Sequence, residues 1–201
     1  MKRIFGIAVG GFLLYSAMAL PGVIAAPPHL QKNQQERNLR KPGDYDQHTR
    51  TLMIDEIRHQ LVSLPYYGVF DWLEGRLMPD GTVVLNGAVV RGSTRSDAGK
   101  RVKSIEGVTK VVNNIEVLPA SIMDDQIRRE TYRAIYKFDS PLFQYAVRAV
   151  PPIHIIVDHG HVTLKGMVLN TMDKQLAETY ARQVPNTFDV KNELAVENDS
   201  K

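Results

Sequence analysis

Three histidines lie close together late in the chain, His154, His159 and His161. Imidazole is a common ligand for zinc and copper. His159 and His161 flank Gly160, and alternate residues of a strand share a face. His154 stands five positions upstream and points elsewhere. An earlier stretch of the chain repeats this turn with Asp80 and Thr82 at the matching positions, so the turn forms without imidazoles. The favoured reading is a solvated turn, with a metal site as the alternative, and no cofactor is expected. Asp124 and Asp125 are adjacent carboxylates. Acid–base work by such a pair needs a cleft, whereas acids ahead of an apolar periodic run complement the positive end of a helix. Zero cysteines exclude disulfides and a thiol nucleophile. No serine elbow, HExxH pair or phosphate-binding glycine loop is present. Catalysis is not expected.

Two basic groups remain. Arg129, Arg133 and Lys137 fall at i, i+4 and i+8, a stripe on a helix opposite Ile127, Ala134 and Phe138. Arg95, Lys100 and Lys103 lie with Arg91 and Arg101 in a stretch whose only acid is Asp97. Either group could meet an anionic surface. The alternative is an ordinary solvated face, with Asp125 placed to pair with Arg129. The chain carries a net charge of +3, which falls to +1 without Lys2 and Arg3. That is too little for a dedicated nucleic-acid binder, so any attraction to anions must be local. Tyr66, Tyr67, Phe70, Trp72, Phe143 and Tyr145 are expected in core and hairpin packing, with an interface as the second use.

The elements that must position these residues follow an N-terminal address. Lys2 and Arg3 precede an apolar run from Ile4 to Tyr15, and small residues end the segment at Val23, Ala25 and Ala26. This reads as a signal peptide over 1–25, cleaved after Ala25, which places the mature chain in the periplasm or outside the cell. Residues 26–48 are rich in amides and mixed charge and read as a flexible linker.

The remainder is a duplication. A shift of 79 residues lays Gly81-x-Val83-x-Leu85-x-Gly87-x-Val89 on Gly160-x-Val162-x-Leu164-x-Gly166-x-Val168. It also matches Ala98 with Ala177, Val111 with Val190, Asn113 with Asn192 and Val117 with Val196, nine identities without a gap. Upstream, Asp55-Glu56-Ile57-Arg58 resembles Asp125-Gln126-Ile127-Arg128 at a shift of 70, so nine extra residues are expected between Tyr136 and Pro152. Ile54, Ile57, Leu61 and Leu64 predict an amphipathic first helix, as do Ile127, Thr131, Ala134, Ile135 and Phe138 in the second copy. Two strands joined by a tight turn follow, Phe70–Met78 and Thr82–Val90 around Asp80-Gly81, then Ile153–Asp158 and His161–Leu169 around His159-Gly160. Next come a helix and a last alternating strand. The fold class is α+β: two tandem α-β-β-α-β units over 49–119 and 120–198, each a three-stranded mixed sheet with two helices on one face. Gly87 and Gly166 within the alternation predict a bulge or the close approach of a helix.

The pattern G-x-V-x-L-x-G-x-V, the helix alanine, Gly107-Val108-x-x-Val111-x-Asn113 and the closing strand resemble the BON domain family. The second copy has Asn186 where the first has Gly107, and asparagine also enters the left-handed region. The resemblance implies a non-enzymatic envelope module that associates with phospholipid or another envelope component and is linked to osmotic or envelope stress. The alternative is a structural protein that binds envelope proteins or buffers stress without lipid contact.

Overall fold

A computed structural model describes residues 45–197, and the expected signal peptide and most of the linker lie outside them. The linker ends earlier than expected. The Asp46 carboxylate accepts from Thr49 N at 2.7 Å and caps the first helix, α1 (Gln47–Val62). The Tyr45 hydroxyl donates to the Gly107 carbonyl, so Tyr45–His48 belong to the folded unit.

The first unit continues with β1 (Trp72–Leu77), β2 (Thr82–Val89), α2 (Gly92–Lys103), β3 (Lys110–Asn113) and β4 (Glu116–Val117). The second comprises α3 (Ile122–Ile135), a 3-10 helix (Pro141–Val147), β5 (Ile153–Asp158), β6 (His161–Val168), α4 (Thr171–Arg182) and β7 (Asp189–Val196). In both sheets the second strand is central. It runs antiparallel to the first strand and parallel to the last. The closing strand of the first unit is interrupted at Asn114–Ile115, but β3 and β4 keep one register on β2.

Alternation on the central strand explains the core. Val83, Leu85 and Val89 point to one side and are fully buried with Met53, Ile57 and Leu61 of α1 and Ala98 and Val102 of α2. Val162, Leu164 and Val168 do the same with Ile127, Ile135, Ala177 and Ala181. Two helices therefore cover one face of each sheet. The first helix turns a slightly different face inward than expected: Met53 replaces Ile54, which is 40% exposed. Phe138 also leaves the core, lying beyond the end of α3 at 87% exposure against Phe143.

The two hairpins differ. His159 and Gly160 both have positive φ, 48° and 81°, and make the expected tight turn, of two residues. In the first hairpin Gly81 N donates to Met78 O at 3.2 Å and Met78 N donates to Thr82 O at 2.8 Å. The loop is therefore Pro79-Asp80-Gly81, one residue longer, with proline pre-set at the second turn position. Nine residues join α1 to β1, whereas 17 join α3 to β5 and carry the 3-10 helix.

Gly87 and Gly166 have φ of 127° and 116°. A side chain there would meet a backbone carbonyl, Trp72 O at 2.0 Å or Pro152 O at 1.8 Å, not a helix. The expectation of a bulge or helix contact at these two positions is corrected: the intruder is the chain entering the neighbouring strand. The close helix contact lies elsewhere, at Gly75, where a Cβ would meet Ile57 Cγ2 at 2.8 Å. The repeated asparagines tie strand to helix. Asn113 Nδ2 donates to Arg95 O at 2.9 Å and Asn192 Nδ2 to Lys174 O at 2.8 Å. Their Oδ1 atoms accept from Ile115 N and Leu194 N. Gly81 and Gly160 present carbonyls to Thr109 N and Phe188 N, both at 3.0 Å, while Gly107 and Asn186 supply the left-handed turn before the last strand.

Candidate anion-binding face on the second unit

Helix α3 starts firmly. Ser121 caps it by accepting from Asp124 N, and both acids of its first turn are occupied. The buried Asp124 carboxylate accepts from His159 N at 3.1 Å and Gly160 N at 2.8 Å, which fixes the hairpin turn against the helix. Asp125 pairs with Arg128 at 2.6 Å, not with Arg129 as the spacing allowed. Arg128 is 2% exposed, and its Nη2 also donates to Val157 O at 2.6 Å.

That pairing leaves Arg129 and Arg133 exposed, with no ion pair among the described residues. They border an open groove of about 430 Å³ whose apolar lining is Val69, Phe70, Tyr132, Ala149 and Pro151. Lys137, expected on the same helical stripe, lies beyond the end of α3 at Ile135 and is engaged: its Nζ lies 3.6 Å from Asp139 and 5.1 Å from the centre of the Tyr180 ring. Ile122 and Phe138, at opposite ends of the helix, are 89% and 87% exposed. The face thus carries two free guanidinium groups between two bare apolar side chains.

The second basic group is less available. Lys100 pairs with Asp97 at 3.6 Å, and Lys103 donates to Thr109 O at 2.6 Å. Arg95 alone of that trio is exposed without such a partner among the described residues. The histidines separate as their spacing suggested. His159 and His161 are exposed and lie against Asp158 and Asp189, and His154 is buried. Among the described residues no group of three or more His, Cys, Asp or Glu side chains is placed to hold a metal ion.

His154 instead belongs to a junction that sequence reasoning missed. The segment Tyr67–Trp72 of the first unit leans on the second. Ile155 N donates to Val69 O at 2.8 Å, and Phe70 meets Tyr132 edge-on at 6.2 Å. The His154 ring sits between Tyr67 and Trp72, at 5.5 and 5.1 Å, with Nδ1 donating to Asp71 O at 2.6 Å. Lys165 lies over the Trp72 ring and 3.8 Å from Glu74. Phe70 also helps form the groove floor. Asp71 holds the segment in shape, accepting from Gly68 N at 3.0 Å and Val90 N at 2.8 Å, and burial pushes its carboxyl above the usual range.

Burial pushes the His154 pKa below its ordinary value of 6.5. The unfolded chain therefore takes up the proton first as pH falls, so the contribution of neutral His154 is complete above pH 6.5 and lost below it. His154→Gln keeps a donor toward Asp71 without the titration. Relative to that variant, the parent chain is expected to lose up to about 1.4 kcal/mol between pH 7.5 and 5.5. Urea unfolding of both proteins at the two pH values measures this, and parallel behaviour would mean the ring titrates normally.

The sequence matches the BON domain family over residues 79–119 and 124–198. Solved structures similar to it include the C-terminal domain of CdsD, a structural protein of the type III secretion system of Chlamydia trachomatis. It is 12% identical with a TM-score of 0.26, covering 72% of this chain and 96% of that one. A second structure of CdsD is 14% identical with a TM-score of 0.26, covering 73% and 94%. No curated protein matches the chain.

Proposed function

The chain belongs to the BON domain family, and from that premise we propose that it is a non-catalytic envelope-binding protein whose second unit contacts anionic phospholipid through the exposed face of α3. The observation that carries this reading is the pair Arg129 and Arg133, unpaired among the described residues and set beside the groove floored by Phe70 and Tyr132. Arginine stems lie along acyl and glycerol surface while their guanidinium groups meet phosphates two hydrogen bonds at a time. Ile122 and Phe138 would enter the interface at either end of the helix. The proposed contact is peripheral; among the described residues no helix is long and apolar enough to cross a membrane. With a signal peptide removed, the proposed place of action is the periplasm, and the proposed link to osmotic or envelope stress rests on the likeness to the BON family.

Flotation with vesicles of anionic lipid, and with zwitterionic vesicles as control, tests the reading. Binding is expected only to the anionic vesicles and weakens with salt, because a nearly neutral protein is attracted only locally. Changing Arg129 and Arg133 together to glutamine removes about 2 kcal/mol, a roughly thirtyfold loss of affinity. Changing Arg95, Lys100 and Lys103 to glutamine has a smaller effect, since two of the three are already engaged. Full binding by a folded Arg129→Gln/Arg133→Gln variant would reject this face. Specific co-purification with an envelope protein and no flotation would favour the protein-binding alternative.

A further inference from the structure

Turn centres are ordinarily filled by glycine, proline or small polar residues, which serve the turn itself. The turn closed by Asp71 N donating to Gly68 O at 3.1 Å carries Val69 and Phe70 at its centre instead. Both are half-buried and pack against the core of the second unit, with the Phe70 ring edge-on to Tyr132. The turn is firmly held. Asp71 accepts from Gly68 N at 3.0 Å and Val90 N at 2.8 Å, and Val69 O accepts from Ile155 N at 2.8 Å.

The groove lined by these two residues also takes Ala149 and Pro151, from the connection between α3 and β5. That connection has 17 residues against nine in the first unit, so the groove belongs to one copy of the duplication. Its volume of about 430 Å³ lies in the range, roughly 300–1,000 Å³, of sites that take a small ligand. Arg129 and Arg133 are the charged residues of its lining, and no carboxylate shares it. A flat charged layer needs no apolar trough, and a free phosphate needs none either. An apolar trough bordered by two unpaired guanidinium groups complements one molecule that joins a hydrocarbon chain to an anionic head.

We propose that this groove holds one acyl chain of an anionic phospholipid while Arg129 and Arg133 hold the phosphate of the same molecule, the first unit completing the seat through Val69 and Phe70. This seat rests on the reading of α3 as the phosphate-facing helix and adds to it a one-to-one complex with a single lipid. The bonded turn leaves little to order on binding, so the apolar contacts count toward affinity.

Lysophosphatidylglycerol, kept monomeric below its micelle concentration, is titrated into the isotopically labelled chain over residues 26–201. Saturable one-to-one shifts are expected at the amides of Val69, Phe70, Arg129, Arg133 and Ala149. Glycerol phosphate, the head without the chain, should bind at least tenfold more weakly. So should lysophosphatidylcholine, which carries the chain on a zwitterionic head. Equal binding of either would overturn the proposal. Ala149→Trp fills the groove and Ala149→Glu sets a carboxylate at it, both from an exposed position. Each should weaken monomer binding at least tenfold, and Ala149→Trp should still float with phosphatidylglycerol vesicles. Full monomer binding by both variants, folded by circular dichroism, would reject the groove as the seat of the chain. A parent chain that floats with those vesicles but binds no monomer would overturn the single-lipid seat and leave the surface reading standing. Monomer binding without flotation would support the seat and reject docking on a bilayer.

Discussion

Replacing Gly166 with valine is expected to destabilise the chain by roughly 2–6 kcal/mol, combining ~1–3 for a strained positive φ with ~1–3 for overpacking. The φ is 116°, and a Cβ would stand 1.8 Å from Pro152 O, an atom of the backbone that no rotamer change can move aside. Either the entry into β5 is displaced, which carries the Ile153–Tyr136 bond with it, or the central strand must twist away. Gly87→Val should cost a similar amount by the same route, through Trp72 O at 2.0 Å. Urea unfolding measures both. Midpoints unchanged from the parent would show that the glycines are incidental to the fold.

Arg128→Ala is the second large effect, about 2–4 kcal/mol. The side chain is 2% exposed, and removing it leaves Val157 O buried without a donor and opens a void beside the core. Part of the interaction's worth is already offset, since Arg128 Nε has no hydrogen-bond partner. The Asp125 carboxylate is half exposed and returns to water, so the ion pair contributes the smaller share. The matched change in the first unit, Arg50→Ala, removes a longer bond, to Leu77 O at 3.2 Å, at a less buried site and should lower stability by about 1 kcal/mol. Equal losses at the two positions would mean that burial of Arg128 does not set its importance.

What the sequence disclosed is what the duplication repeats. The hairpin glycines, the strand alternation and the two asparagines appear twice at one spacing, and each has a backbone reason that allows little substitution. Features that belong to one copy were hidden. Arg128 sits beside Arg129 in a basic run, and composition cannot separate them; helical phase does, because Asp124, Arg128, Thr131 and Ile135 share the buried side. The junction was hidden for another reason. Phe70–Trp72 reads as the start of a strand, and only the tertiary fold shows that Val69 O serves the neighbouring unit. Pro79 was also a legible signal: it sets a longer loop where Asp80-Gly81 alone suggested a tight turn. Ile54 was placed inside by periodicity, yet it borders a groove between α1 and β1, where an apolar residue serves a surface and not the core.

The position of the lipid surface on the protein is the central claim, and amide line broadening on addition of anionic bicelles tests it most directly. Broadening should concentrate on the outward side of α3, at Ile122, Gln126, Arg129 and Arg133, and extend to Phe138 and the groove residues Val69 and Ala149. Helix α2, with Arg95, Lys100 and Lys103, should stay sharp, and zwitterionic bicelles should leave the whole spectrum unchanged. Broadening centred on α2, or spread evenly over both units, would contradict the assignment of α3 as the membrane face.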